Sequence, residues 1–260
     1  MLKQLKFVSK LLLGFVILLM FFSSCVPIKK QVYFQAAEDT LKTAYQYKDF
    51  KAHKLQTAND LYVRVFSINK DAGEFFNQGI SSSGNIYYDA AIYLNSYNID
   101  NEGYVDLPFI GKLHVRGLTT VEAKAIIQEE IDKYLNSTTV IVKLVNYNIS
   151  IVGEVIRPGQ YKIYQDRINI FEVISLAGDL TTYAKRDDIV LVRKQEKDAK
   201  IFHINLLEDN VMESEYYYIL PDDIIYVKPV KGKNFAFSAF PYTLVISTIS
   251  LTLALVAIFN

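Results

Sequence analysis

Apolar and polar positions alternate or recur along the middle of the chain in ways that predict its elements. The stretch LYVRVFSI, Leu61 to Ile68, has the period of two that predicts a β-strand. Apolar residues then recur every three or four positions at Ala123, Ile127, Ile131 and Tyr134, which predicts a helix. Thr119 and Glu122 form the T-x-x-E capping box that starts such a helix.

The second half of the chain repeats this mixture of strands and helices. The β-branched stretch TTVIVKLVNYNISIVGEV predicts one long strand or two, and DIVLVRK, AKIFHINL and YYYILPDDIIYVKP predict further strands. Asn169 can cap a second helix with Glu172 at N3, and Gly178 suits its C′ position. Pro158-Gly159 predicts the centre of a type II turn. Two successive α+β units therefore follow one another.

The N-terminal end predicts export from the cytoplasm. A basic start with Lys3, Lys6 and Lys10 is followed by the apolar segment 11–22 and by small residues, as in a secretory signal peptide, here 1–24. The single cysteine, Cys25, follows at once, an arrangement that resembles a bacterial lipobox and makes Cys25 the expected lipid attachment. An ordinary signal with an incidental cysteine stays open. Residues 25–54 are expected to be a leader that spaces the first domain from the lipid.

Two further segments differ from the rest in composition. Residues 69–101 are rich in Gly, Ser and Asn, which predicts a loop insertion. The C-terminal segment 234–260 has no charged residue, and its last part, 242–260, would extend for about 28 Å as a helix, which predicts a transmembrane helix. Small residues form one stripe on it, expected to pack helices or line a pore: Thr243, Ser247, Ser250, Ala254 and Ala257. The alternative is a plain anchor whose Ser and Thr bond back to their own turn.

Charge and motif content argue against several functional classes. Lys plus Arg and Asp plus Glu are both 28, so the chain lacks the basic excess of a nucleic-acid binder. His53, His114 and His203 have no metal-ligand spacing, and no nucleophile elbow or phosphate loop occurs. We therefore expect no enzyme, no catalytic residue, no metal and no cofactor.

Three stretches together resemble the bacterial outer-membrane polysaccharide export lipoprotein family of the Wza type. GYVDLPFIGKLHVRGLTTVEA is similar to the motif of its export domain, and ISIVGEVIRPGQYKI followed by FEVISLAGDL resembles the opening of its soluble-ligand-binding β-grasp domain. YYILPDDIIYVKP resembles the strand that closes the second domain. The resemblance covers about Leu55 to Val230 and implies an export domain at 55–148 and a β-grasp-like domain at 149–230.

The resemblance also assigns turn positions. Ala58-Asn59-Asp60 and Pro221-Asp222-Asp223 stand where the family has Pro-Gly-Asp, and Asn59 and Asp222 are the residues that best replace glycine in a left-handed turn. The structural turns expected from the family motifs are at Asp60, Pro108, Gly111, Gly117, Gly153, Pro158, Gly159, Gly178 and Asp223.

The function that the resemblance implies is an oligomeric outer-membrane channel for capsular or extracellular polysaccharide. Lipid would anchor each subunit, most of the chain would lie in the periplasm, and copies would form a ring. The expected partner is an inner-membrane polysaccharide co-polymerase or tyrosine kinase. Two alternatives stay open: a periplasm-facing glycan-binding or scaffold lipoprotein without a pore, and a hydrolase or transferase. The latter would bring Asp60, Asp106, Glu154 and Asp223 into one pocket.

Overall fold

Two small β-sheets, each packed against one helix, organise the middle of the chain in the computed structural model. The structure describes residues 28–35, 45–46, 50–68, 73, 76–77, 89–195, 198–230 and 242–258. We call residues 50–145 the export unit and residues 147–230 the second unit. The chain is mixed α+β, as the sequence predicts. The predicted signal peptide and Cys25 lie outside the described residues.

The export unit is built on an antiparallel sheet in the order β2-β1-β5. Its elements are β1 (Asp60–Ser67), α1 (Asp89–Leu94), β2 (Tyr97–Asn98), β3 (Tyr104–Leu107), β4 (Gly111–His114), α2 (Thr120–Asp132) and β5 (Thr138–Leu144). β1 and β5 pair along their whole length, from Leu61 opposite Leu144 to Ser67 opposite Thr138. β3 and β4 form a separate hairpin.

Helix α2 begins as predicted and covers the sheet. Thr119 Oγ1 accepts a hydrogen bond from the Glu122 N–H at 3.2 Å, and Glu122 Oε2 accepts one from the Thr119 N–H at 2.6 Å. Ala123, Ile127 and Ile131 are buried. The prediction for Tyr134 was wrong, because the helix ends at Asp132 and this side chain is exposed.

The second unit contains a five-stranded sheet in the order β10-β9-β12-β6-β7. Its elements are β6 (Asn148–Gly153), β7 (Gly159–Lys162), β8 (Ile168–Asn169), α3 (Ile170–Leu176), β9 (Ala184–Lys194), β10 (Ala199–Ile204), a 3-10 helix (Asp209–Glu213), β11 (Tyr218–Ile219) and β12 (Ile224–Pro229). β12 and β6 run parallel, whereas the other pairs in this sheet are antiparallel. β8 and β11 form a small antiparallel pair.

Helix α3 covers the inner face of the five-stranded sheet. Asn169 and Glu172 form the predicted capping box, and Gly178 follows the helix with a φ of 78°. Ile170, Val173 and Ile174 pack into a core that the sheet supplies with inward-facing residues from β6, β9 and β12. Alternation along each of these strands leaves the other sheet face towards solvent.

Three local expectations need correction. The predicted type II turn at Pro158-Gly159 is absent, because Gly159 begins β7 without a positive φ, and Gly153 instead has a φ of 96° where β6 ends. The long β-branched stretch forms two strands, β5 and β6, in different sheets. The 69–101 segment is not only a loop, since α1 and β2 lie within it and β2 pairs with β1.

The uncharged C-terminal segment contains α4 (Tyr242–Ile258), a helix of 17 residues. Among the residues that the structure describes, no helix combines the length and apolarity needed to cross a membrane.

Candidate functional site

The β3–β4 hairpin holds the export motif in shape. Pro108 lies between the two strands, and Phe109 and Gly111 have φ angles of 67° and 84°. The Phe109 ring is half exposed and meets the Phe76 ring edge to face, with centroids 5.8 Å apart. Gly117, with a φ of 81°, donates its N–H to the Leu55 carbonyl at 2.8 Å. The motif therefore fixes the hairpin and the start of α2 against Leu55.

Amide and carboxylate side chains form a network of hydrogen bonds where the two units meet. We call this part of the structure the junction. Asn146 follows β5 and accepts a hydrogen bond from the Asp60 N–H at 3.0 Å through Oδ1. Its Nδ2 donates to the Ala58 carbonyl at 2.9 Å. Buried Asp60 in turn accepts a hydrogen bond from Asn98 Nδ2 at 2.8 Å. Asp60 thus joins the start of β1 to β2, while Asn146 fixes the chain that leads into the second unit.

The left-handed position in this turn is one residue earlier than the sequence suggests. Ala58, and not Asn59, has the positive φ, at 64°. Asn59 is buried and uses its Oδ1 to accept a hydrogen bond from the Gln56 N–H at 2.8 Å. His53 Nε2 lies 3.2 Å from the same oxygen, and burial lowers the pKa of His53. Asn59 therefore serves the turn through its side chain. In the second turn Asp222 does take the left-handed conformation, with a φ of 64°.

Asp223 is fully buried and paired with Arg193. Arg193 Nε and Nη2 donate to its two carboxylate oxygens at 3.0 and 2.7 Å, and the Leu220 N–H donates at 2.8 Å. Burial raises the pKa of Asp223, and the Arg193 guanidinium opposes this rise. The two-pronged contact closes the 220–223 turn onto β9. Sequence reasoning missed Arg193, because no local pattern links a charged residue in β9 to a turn thirty positions away.

The four carboxylates of the hydrolase hypothesis have different partners in different places. Asp60 belongs to the junction, and Asp106 is exposed on β3 opposite Lys112. Buried Glu154 accepts a hydrogen bond from Thr181 Oγ1 at 2.7 Å, and Asp223 is held by Arg193 at the other end of β12. These contacts place no two of the four carboxylates together as an acid–base pair. Within the described ranges, no group of three or more His, Cys, Asp or Glu side chains is arranged to hold a metal ion.

The described part of the leader is bound to the second unit. Tyr33 donates its hydroxyl hydrogen to Asp179 Oδ1 at 2.7 Å, and the Arg186 guanidinium lies over its ring at 5.5 Å from the centroid. Burial raises the pKa of Tyr33 to about 12, so the phenol stays neutral. The rings of Tyr33 and Phe34 both meet Phe171 of α3, with centroids 5.8 and 4.7 Å away.

Further leader residues contact the second unit, one through its backbone and two through their side chains. The Gln35 N–H donates to the Leu207 carbonyl at 2.6 Å, and the Tyr45 hydroxyl donates to Asp209 Oδ2 at 2.9 Å. Phe50 meets Tyr218 edge to face at 5.2 Å. The aromatic residues within an otherwise polar leader were the sequence signal for this contact, but no local rule names the surface that receives them.

On α4, the predicted stripe of small residues is exposed, and Thr243, Ser247, Ser250, Ala254 and Ala257 all belong to it. The Ser247 hydroxyl donates to the Thr243 carbonyl at 2.7 Å, one turn earlier. Thr252 likewise bonds to the Thr248 carbonyl at 2.9 Å. These hydroxyls are satisfied within the helix, as in the anchor alternative.

Residues 49–145 match the family model described as polysaccharide biosynthesis/export protein. The matched segment contains β1 to β5, α1, α2 and the export hairpin, so the predicted resemblance is confirmed for this part of the chain. The family is one of export proteins and not of enzymes, and it supports a general role in polysaccharide export at the cell envelope.

Proposed function

We propose, from the premise that residues 49–145 are an export domain, that this chain is one subunit of an oligomeric outer-membrane channel for capsular or extracellular polysaccharide. The match over the export unit is the observation that carries the proposal. The mechanism is physical. The subunits surround a hydrated path, the polymer moves through it, and the chain makes or breaks no bond.

The lipid on Cys25 would hold each subunit at the outer membrane. Tyr33 lies eight positions after Cys25, so the chain between them can span at most about 28 Å. Because Tyr33 and Phe34 are bound to α3, the anchor is tied to the second unit. One lipidated subunit holds on through its acyl chains, and the anchors of several copies in one ring would reinforce one another.

Helix α4 follows the second unit in the sequence and contains no charged residue. We propose that copies of α4 gather at the membrane, with the small-residue stripe as the seam between helices or the wall of the pore. The partner on the inner side would be a polysaccharide co-polymerase or tyrosine kinase of the inner membrane, which would supply the polymer and the energy of synthesis.

One observation favours the second candidate, a glycan-binding or scaffold lipoprotein without a pore. The hydroxyls of Ser247 and Thr252 are bonded within α4, which leaves them less suited to bonds between helices or to a hydrated lumen.

Electron microscopy of the full-length, lipidated protein, extracted from outer membranes in mild detergent, tests the channel. Closed rings with a central cavity are expected, and monomers or dimers across several mild detergents would contradict the channel. A variant lacking residues 242–260 separates the two candidates. A channel subunit loses export and keeps its lipid anchor, whereas a scaffold keeps its role. Replacing Cys25 by serine is the matched control, because that variant loses the anchor and keeps α4.

A further inference from the structure

The face of the β2-β1-β5 sheet that lies away from α2, which we call the export face, carries aromatic and basic side chains. Alternate residues of β1 are buried in the core with α2, and Tyr62, Arg64 and Phe66 between them belong to the opposite face. On the neighbouring strand β5, Lys143 lies opposite Tyr62 and Ile141 lies opposite Arg64. Phe66 is 45% exposed and Ile141 is 39% exposed. The whole face lies within the segment that matches the export family.

Arg64 is held on the export face without being neutralised. The central carbon of its guanidinium lies 5.2 Å from the centroid of the Phe66 ring, a contact that orients the cation. The Arg64 Nε has no hydrogen-bond partner, and no carboxylate among the residues that the structure describes pairs with this side chain. A guanidinium presents its N–H groups as a planar fork that matches a carboxylate. Because Arg64 is partly exposed, a carboxylate of a ligand can occupy this position.

The other charges on and beside the export face leave it basic. Lys143 Nζ lies 2.8 Å from Asp166 Oδ1, and both side chains are well exposed, so this pair is weak in water. Asp166 belongs to the 164–167 loop of the second unit, which also exposes Arg167. Asp60 begins the row of β1 residues but is buried in the junction. The accessible charges of β1, β5 and this loop are therefore three cations, with Arg64 among them, against one carboxylate.

We propose that the export face binds an anionic polysaccharide, with sugar rings against its aromatic side chains and sugar carboxylates paired with Arg64 and Lys143. This inference rests on the proposed function and names the chemical class of the exported polymer. The C–H face of a sugar ring is apolar and packs on an aromatic ring, whereas a sugar carboxylate pairs with a guanidinium. Tyr62 and Phe66 are four positions apart on one strand, about 13 Å, so the face accommodates a run of sugars rather than one.

The export face holds such a polymer weakly and releases it. A sheet face touches each sugar from one side only, so the hold on a long chain comes from several small contacts. Lys143 exchanges Asp166 for a sugar carboxylate at little cost, because both side chains of that pair are exposed. A conducting path needs sites that attract the cargo without trapping it. An exposed row of aromatic and basic side chains has this property, and a closed pocket does not.

Fluorescence anisotropy of a labelled oligogalacturonate, titrated with the full-length, lipidated protein in mild detergent, tests this proposal. The matched neutral probe is the same oligomer with its carboxyl groups reduced to alcohols. At low salt the acidic oligomer should bind about tenfold or more tightly than the neutral one, and high salt should remove most of this difference by screening the charges. Equal binding of the two oligomers, or no binding of the acidic one, would overturn the proposal.

Three substitutions by glutamine locate the binding on the export face. Arg64→Gln should weaken binding of the acidic oligomer about tenfold, because a hydrogen-bonded charge pair is lost. Lys143→Gln should weaken it several-fold, and this residue is so exposed that its replacement leaves the fold intact. Arg157→Gln is the matched control, since Arg157 is an exposed arginine beside α3 of the second unit and its loss removes the same charge. Equal effects of all three substitutions would contradict the proposal.

Electron microscopy of the same samples separates this proposal from the channel. Rings in a protein that binds both oligomers equally would refute the binding face and leave the channel standing. Selective binding of the acidic oligomer by a protein that forms no rings would refute the channel and support the face in a glycan-binding lipoprotein. Loss of rings in Arg64→Gln would assign the export face to a contact between copies and would overturn the proposal.

Discussion

Gly153 should be the glycine whose replacement costs the second unit most. It ends β6 with a φ of 96°, and a Cβ placed on it would lie well under 3.0 Å from the carbonyl oxygen of Val227 in β12. The left-handed conformation alone costs an alanine about 1–2 kcal/mol. The overlap is with backbone, so it can be relieved only by moving the two strands apart.

That movement has a second cost. The Val227 carbonyl accepts a hydrogen bond from the Glu154 N–H at 2.9 Å, and β6 and β12 are paired from Ser150 to Gly153. Weakening one or two of these bonds adds about 1 kcal/mol for each. We therefore expect Gly153→Ala to lower the free energy of opening of the second unit by about 2–4 kcal/mol in total.

Gly111→Ala is the matched control, because Gly111 also has a positive φ, 84°, but no atom lies within 4 Å of its added Cβ. This variant should lose only about 1–2 kcal/mol, and only in the export unit. Hydrogen–deuterium exchange of the full-length chain measures both, since each 1.4 kcal/mol is about a tenfold change in exchange of the affected amides. If the two variants lost equal free energy, the close approach of β6 and β12 would have no energetic weight, and the reasoning would be refuted.

Three further predictions concern the turn before β1, the leader and the ion pairs of Asp188. Ala58→Gly should stabilise the export unit by about 0.5–1 kcal/mol, because Ala58 has a φ of 64°, and a lower denaturation midpoint would contradict this. Tyr33→Phe removes the hydroxyl bound to Asp179 and should weaken the leader contact by about 1 kcal/mol, seen as faster amide exchange over residues 31–35; unchanged exchange would contradict it. Lys228, His203 and Lys185 hold the pKa of Asp188 well below its usual value of 3.8. Ionised Asp188 thus stabilises the fold at pH values above 3.8, and this stabilisation is lost as the pH falls below 3.8 and through the lowered pKa. Unfolding of Asp188→Asn should lack this acid-dependent loss, and an unchanged pH profile would show that Asp188 contributes nothing.

The sequence predicted the elements whose cause is local. The two capping boxes, at Thr119 and Asn169, depend on residues three positions apart, and both are present. The strand at Leu61 and the buried face of α2 follow from short-range periodicity, and both were found. Local rules therefore predicted the framework of each unit.

The features that were missed depend on distant residues. The Arg193–Asp223 pair joins β9 to a turn near β12, and the Tyr33 contact joins the leader to α3. A type II turn was predicted at Pro158-Gly159 because Pro-Gly is a strong local signal, but the glycine with the positive φ is Gly153, which is crowded by Val227 where β6 ends. Ala58 takes the left-handed position, with its carbonyl bound by Asn146 Nδ2 and its N–H bound to the Ile99 carbonyl. In each case a contact with a residue far away in the sequence decided the conformation.

The parallel pairing of β6 and β12 has a mechanical consequence. The chain enters the second unit from the export unit at β6 and leaves towards α4 from β12, and these strands are neighbours in the middle of the sheet. Tension between the export unit and α4 would pull β6 by its first residue and β12 by its last. In parallel strands those two forces act in opposite directions along the strand axis, so they load the pair in shear. Shear shares the load among all the hydrogen bonds of the pair at once, whereas peeling would break them one by one. The second unit is therefore built to transmit force along the chain without opening.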